Sequence, residues 1–175
     1  MNKKYELLKD DCIEHEGKTL HRIKSLKDFR NIKAGDLGGY VESEKNLSND
    51  GNCWIYNKAK VYDDAEVYGN AEVYGGAKVY GYANVCDDAN VCGNAKVYGN
   101  AEVYGYASVC GNAIVYDDAE VCGYANVYDD AKVYGNAEVY GYANVCGNAI
   151  VSGNVVISKG TIIGDVSIPF KDIFH

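Results

Sequence analysis

From Ile55 to Ile163 the chain keeps a six-residue period with no insertion, in units such as Asn-Ala-Glu-Val-Tyr-Gly (residues 70–75). So short and unbroken a period constrains the fold before any residue is considered for chemistry. One unit buries too little surface to stand alone and must stack on its neighbours. The aliphatic position runs Ile55, Val61, Val67 and every sixth residue to Val151, then Ile157 and Ile163, nineteen positions in all. Two residues before each lies a small side chain: Cys53, then Ala59 through Ala149, then Val155 and Thr161. Alternation along a strand puts the small and aliphatic residues on one face and the residue between them on the other.

An aliphatic residue with a small one two positions earlier resembles the signature of the hexapeptide-repeat family. The fold this implies is all-β, a left-handed parallel β-helix in which three hexapeptides close one triangular coil. Residues eighteen apart then stack at about the strand spacing of 4.8 Å, and the repeats give about six coils, roughly 29 Å of prism. Valine suits the interior strand positions and alanine the narrow ones. Gly or Asp followed by Asn, Asp, Gly or Tyr, as at Gly69-Asn70 and Asp87-Asp88, supplies the corners. Handedness comes from the resemblance alone, because crossover connections are ordinarily right-handed.

Three regions follow: 1–54 as an N-terminal hairpin and capping segment, 55–160 as the β-helix, and 161–175 as a C-terminal cap. Tyr5 to Leu26 alternates polar and apolar residues around Glu16-Gly17-Lys18, the pattern of a β-hairpin. Gly35, Gly38, Gly39 and Gly51 are predicted turn positions. The lead-in before the coils resembles that of YdcK-type hexapeptide-repeat proteins, an acyltransferase-like family also met in prophages. The likeness is carried by Asp28-Phe29, Lys33-Ala34-Gly35, Gly39-Tyr40-Val41, Leu47-Ser48 and Gly51-Asn52-Cys53-Trp54-Ile55-Tyr56. At the far end, Phe170, Ile173 and Phe174 follow Pro169 as an apolar tail, predicted to fold over the last coil or to join two prisms into a homo-oligomer.

The acidic balance belongs to the repeats. Residues 1–54 are neutral in sum, residues 55–160 carry −7 and residues 161–175 carry −1. A negative prism disfavours direct binding of DNA or RNA and favours a basic protein surface. The first residues lack an apolar run, and nothing approaches the roughly 18 residues of a membrane span, so neither a secretory signal nor a membrane anchor is expected. Seven cysteines, an odd number, argue against a closed disulfide framework and for a reducing cytoplasm.

Outward positions sort into columns. One carries Tyr62, Tyr80, Tyr98, Tyr116, Tyr134 and Ser152; the others mix Tyr with Cys; a corner column holds Tyr106, Tyr124 and Tyr142, with Tyr82 one column over. Rings stacked at strand spacing stabilise a scaffold, and the same rings serve as anchors at interfaces. Before the aliphatic residues run a lysine column (Lys60, Lys78, Lys96, Lys132, interrupted by Ile114 and Ile150) and a glutamate column (Glu66, Glu102, Glu120, Glu138) on different faces. Apolar groups exposed in the lysine column make that face the first candidate contact surface. The candidate partner-binding residues are Tyr80, Tyr98, Tyr116, Tyr134, Lys96 and Ile114, then Tyr106, Tyr124 and Tyr142.

Enzymes of the resembled fold are marked by coil histidines, a general base in acyltransferases and metal ligands in carbonic anhydrases. Here His15, His21 and His175 all lie outside the repeats. Neither a cofactor nor a metal is expected, and the enzyme reading is the weaker one. Cys92 and Cys110 fall one coil apart, near enough for a disulfide, but the coil cysteines are taken as small replacements for tyrosine. The Asp pairs at 63–64, 87–88, 117–118 and 129–130 are assigned to corners rather than calcium. The resulting expectation is a non-catalytic scaffold that binds a protein through a lateral Tyr-rich acidic surface, such as a prophage product blocking a host protein. The alternative is an acyltransferase-like enzyme of the same fold.

Overall fold

A computed structural model describes residues 3–168. Short strands, most of two residues, from Trp54–Ile55 to Thr161–Ile162, pair in parallel with the strand one coil away, as Val79 with Val97 and Val97 with Val115. Together with three N-terminal strands and Val166–Ile168, which extend one sheet to ten strands, they assemble three sheets of ten, seven and six strands that form a β-solenoid of about seven turns. Every alanine and valine of the repeat from Ala59 to Val151 is fully buried, in one continuous apolar core that fills the lumen. Valine holds a single rotamer against its stacked copies, and alanine occupies the places where the walls converge.

The corners are built on left-handed backbone. Glycine supplies most of them, as at Gly93 (φ +67°), but Asp63, Asp87, Asp117 and Asp129 hold φ near +60°. Three of these carboxylates offset the strain by accepting a hydrogen bond from a backbone N–H one coil on: Asp63 from Gly81 at 3.1 Å, Asp87 from Gly105 at 3.2 Å, Asp129 from Gly147 at 3.1 Å. The next corner residue forms amide ladders, with Asn52 donating to Asn70, Asn70 to Asp88 and Asn112 to Asp130, at 3.0–3.2 Å. The Asp pairs therefore have structural employment. No cluster of three or more His, Cys, Asp or Glu side chains able to hold a metal exists among the described residues.

Seven turns replace the six predicted because the first coil precedes the strict repeat. Strand β1 (Tyr5–His15) and strand β2 (Lys18–Ser25) form the predicted hairpin, turning at Glu16 and Gly17 with φ +51° and +77°. Strand β3 (Leu37–Val41) pairs antiparallel with β2 on one side and parallel with Lys60–Val61 on the other. Leu47 then bridges Val67, and Trp54–Ile55 pairs with Glu72–Val73. The offset to the next coil is 20 residues at Val41 and Leu47 and 18 at Ile55, so the hexapeptide count fails there. At the irregular corner the Asn46 side-chain amide donates to the carbonyls of Asp63 (3.0 Å) and Ala65 (2.9 Å), doing what a backbone N–H does elsewhere. Gly38 and Gly39, predicted as turns, lie in β3; a Cβ on Gly39 would sit 2.6 Å from the Ala59 carbonyl oxygen, so only glycine lets the strands approach.

The far end also departs from the pattern. Thr161 and Ile162, not Ile163, pair with Asn144 and Val145, because the turn around Gly160 is one residue short. Ile163, predicted to point inward, is 71% exposed, and the unbroken run of aliphatic positions ends at Ile157. The apolar tail, Pro169 to His175, lies outside the described residues.

Candidate interaction surface

Beside the outward face of the ten-stranded sheet, the residue after each valine carries its ring over the equivalent ring one coil below. Tyr62, Tyr80, Tyr98, Tyr116 and Tyr134 form one ladder, with centroids 4.7–5.1 Å apart and planes within 14° of parallel. Lys96 and Ile114 stand in register on the adjoining strands, so the structure brings together the first set of candidate residues. It does not leave them equally available. Tyr62 is buried beneath the hairpin, its ring edge-on to His15 at 5.4 Å and its hydroxyl donating to Glu16 Oε2 at 3.2 Å. Tyr80, Tyr98, Tyr116 and Tyr134 are half-buried by one another, and Ile114 and Ile150 are half-buried too, which corrects the reading of them as exposed apolar groups. Their half-burial is a property of the folded surface that the repeat alone does not encode.

The second set is placed elsewhere. Tyr106, Tyr124 and Tyr142 occupy a corner of the six-stranded sheet and stack at 5.0–5.1 Å with planes 4° apart. These rings are 57%, 50% and 72% exposed. The strands entering that corner carry Glu102, Glu120 and Glu138 in register, one above another. Tyr104, between two of them, donates its hydroxyl to Glu120 at 3.0 Å. Like charges stacked in a ladder repel modestly and project a negative field, and no ion pair to these three glutamates occurs among the described residues. The two tyrosine ladders therefore lie on different parts of the prism and cannot form one patch.

The half-buried ladder gives a pH signature. Burial, and next the neighbouring Tyr98, push the Tyr80 phenol up to about 12 from its ordinary value of 10, and burial raises Tyr62, Tyr98 and Tyr116 in the same direction. Above pH 10 the unfolded chain releases phenolic protons that the folded chain retains, so stability present below that pH is lost between about 10 and 12. The melting temperature should be flat from neutral pH to about 9 and fall steeply through that window. Replacing Tyr80, Tyr98 and Tyr116 by Phe should flatten the fall.

The remaining chemical candidates do not converge on the ladders. His15 has its basicity lowered by burial and next by Lys78, and its Nε2 lies 3.5 Å from Glu16. His21 Nδ1 sits 3.3 Å from the Leu8 carbonyl, beside a cavity of about 440 Å³ lined also by Glu6, Leu7 and Glu44. Cys92 and Cys110, taken as tyrosine replacements, are joined as a disulfide with Cα atoms 4.6 Å apart; stacked coils bring equal positions within bridging range wherever both are cysteine. Cys12, Cys53, Cys86, Cys122 and Cys146 are free. No helix of the described residues is long and apolar enough to cross a membrane.

Residues 143–159, the last regular coil, match the family described as the YdcK β-solenoid repeat. The chain is a β-solenoid whose last regular coil is similar to a YdcK repeat. Over 39 residues it is 41% identical to "Uncharacterized acetyltransferase YdcK" of Escherichia coli strain K12, a match covering 22% of this chain and 12% of that protein. That match spans about an eighth of the relative's length.

Proposed function

We propose that this solenoid is a non-catalytic binding scaffold whose lateral tyrosine surface engages a basic protein partner. The observation that carries the reading is the exposed ladder Tyr106–Tyr124–Tyr142 beside three in-register glutamates. Each ring is held by its stacked neighbours, so little side-chain entropy remains to be lost on binding, while ring edges and hydroxyls stay available. The glutamates and the net charge of the coils steer a cationic surface to the same corner and raise its association rate. The half-buried ladder Tyr80–Tyr98–Tyr116–Tyr134, with Lys96 and Ile114, serves chiefly as scaffold and as a secondary contact. A prophage-type product blocking a host protein fits this reading.

The test starts from a partner captured on the immobilised chain and then measures its affinity for variants. Tyr106→Asn, Tyr124→Asn and Tyr142→Asn together should preserve the fold, since the same corner column holds Asn52 and Asn70. Binding should fall about tenfold or more, as for loss of central aromatic anchors, and the parent's affinity should weaken as salt rises. Tyr98→Ser with Tyr116→Ser, a replacement the same column already accepts at Ser152, should cost less. Full affinity in the corner variant would move the site elsewhere. A second reading, transfer of an acetyl group, is favoured by the name of the partial relative alone.

A further inference from the structure

Lys4 is a charged side chain with no exposed surface at all. Its Nζ donates to the carbonyl of Cys53 at 3.0 Å and reaches that of Asp50 at 3.5 Å, over the face of Phe29 at 5.6 Å. It also lies 3.2 Å from Cys53 Sγ, and its hydrogen-bond partners include no carboxylate. A buried ammonium without a carboxylate is costly, and burial accordingly lowers the affinity of the Lys4 amine for its proton while raising that of the Cys53 thiol. Each partner opposes the other's shift.

The sulfur is also out of pattern. Cys53 opens the column of small residues continued by Ala71, Ala89, Ala107, Ala125 and Ala143, every one of them fully buried. Alanine therefore satisfies the packing there, and what the sulfur adds is contact with Lys4 and with the carbonyls of Ser48 at 3.6 Å and Asp50 at 3.8 Å.

We propose that Lys4 and Cys53 form an oxidative modification site in which peroxide joins the two side chains through a sulfur–nitrogen bond. In the first step the Cys53 sulfur attacks a peroxide oxygen. An S–O bond forms, the O–O bond breaks, the sulfur is oxidised by two electrons to a sulfenic acid and the peroxide is reduced to water. In the second, Lys4 reacts in its deprotonated form, the Nζ lone pair attacking that sulfur. An N–S bond forms, the S–O bond breaks, and the departing hydroxide takes the amine proton and leaves as water. Two thiols reverse the link, reducing the sulfur and freeing the amine as they become a disulfide. The closed form ties the lead into strand β1 to the first coil across 49 residues of sequence and locks the hairpin onto the solenoid.

The whole chain is treated with hydrogen peroxide, digested, and examined by tandem mass spectrometry. A peptide joining Lys4 to Cys53 is expected, lighter by two hydrogens than its separate parts and released by dithiothreitol. The unfolding midpoint of the treated parent should rise and return on reduction. Cys53→Ala, which the alanines of the same column show to fit, should fold, give no linked peptide and lose the peroxide-dependent rise; Lys4→Met should leave Cys53 to proceed to sulfinic acid. Recovery of Cys53 unlinked, as thiol or higher oxide, from treated parent protein would overturn the proposal.

Discussion

Val97→Asp should leave no folded solenoid. Val97 is fully buried and stacks in register between Val79 and Val115, inside a lumen lined by alanine and valine. A carboxylate there has no cation or donor to meet, and the penalty for an unpaired buried charge is several kcal/mol. That is comparable to the ~5–15 kcal/mol by which native domains are stable. Stacked coils stabilise only their neighbours, so a break in the middle of the prism also removes the support for both halves. Lys96→Asp, one residue earlier, outward and exposed, should change stability by no more than about 0.5 kcal/mol. Circular dichroism and thermal melting of the pair check the inward assignment, and a Val97→Asp chain that melts like the parent would refute it.

Gly93→Val should be the second most damaging change, although the position lies at a corner outside the lumen. Gly93 has φ +67°, and a Cβ there would fall 2.7 Å from the Gly111 carbonyl oxygen and 2.9 Å from its nitrogen. A β-branched residue in left-handed backbone costs ~1–3 kcal/mol before any clash, and here the next coil must also shift. Gly93→Asp should cost markedly less. Asp63 and Asp87 hold the same backbone and accept a bond from the glycine N–H above, and the residue above Gly93 is again a glycine. A denaturant titration that ranks Val and Asp equally would show that the carboxylate-to-backbone bond contributes nothing.

The interior was readable because one two-residue rule repeats: a small residue, then an aliphatic one two places later, stacks at a fixed offset. The first coil escaped that rule because it is held by different means. Val41 and Leu47 are aliphatic, but their 20-residue offset and the Asn46 side-chain bonds to Asp63 and Ala65 replace the hexapeptide count. The signal that could have revealed them was Gly39 two places before Val41, the same small-then-aliphatic pair. At the other end a one-residue deletion exchanged Ile162 for Ile163, a slip that periodicity cannot report when both residues are isoleucine. Handedness was supplied by the resemblance, not by the pattern.

The surface was less legible than the core. Column membership predicted both tyrosine ladders, because residues eighteen apart must stack. Exposure was not predicted: rings at a strand end shelter one another, whereas rings past the corner glycine project into solvent. The Lys4–Cys53 pair was invisible for a different reason. It joins residues 49 apart through the fold of the N-terminal hairpin, which no local spacing encodes.

The measurement that bears most directly on a scaffold rather than an enzyme is calorimetric titration of the purified protein with acetyl-coenzyme A, followed by an acetyl-transfer assay across amine acceptors. His15 and His21 lie on the hairpin, and the coils carry no histidine to serve as base. The expected result is no heat beyond dilution and no acetylated product. Saturable binding with turnover would contradict the scaffold reading, most sharply if His15→Ala abolished it.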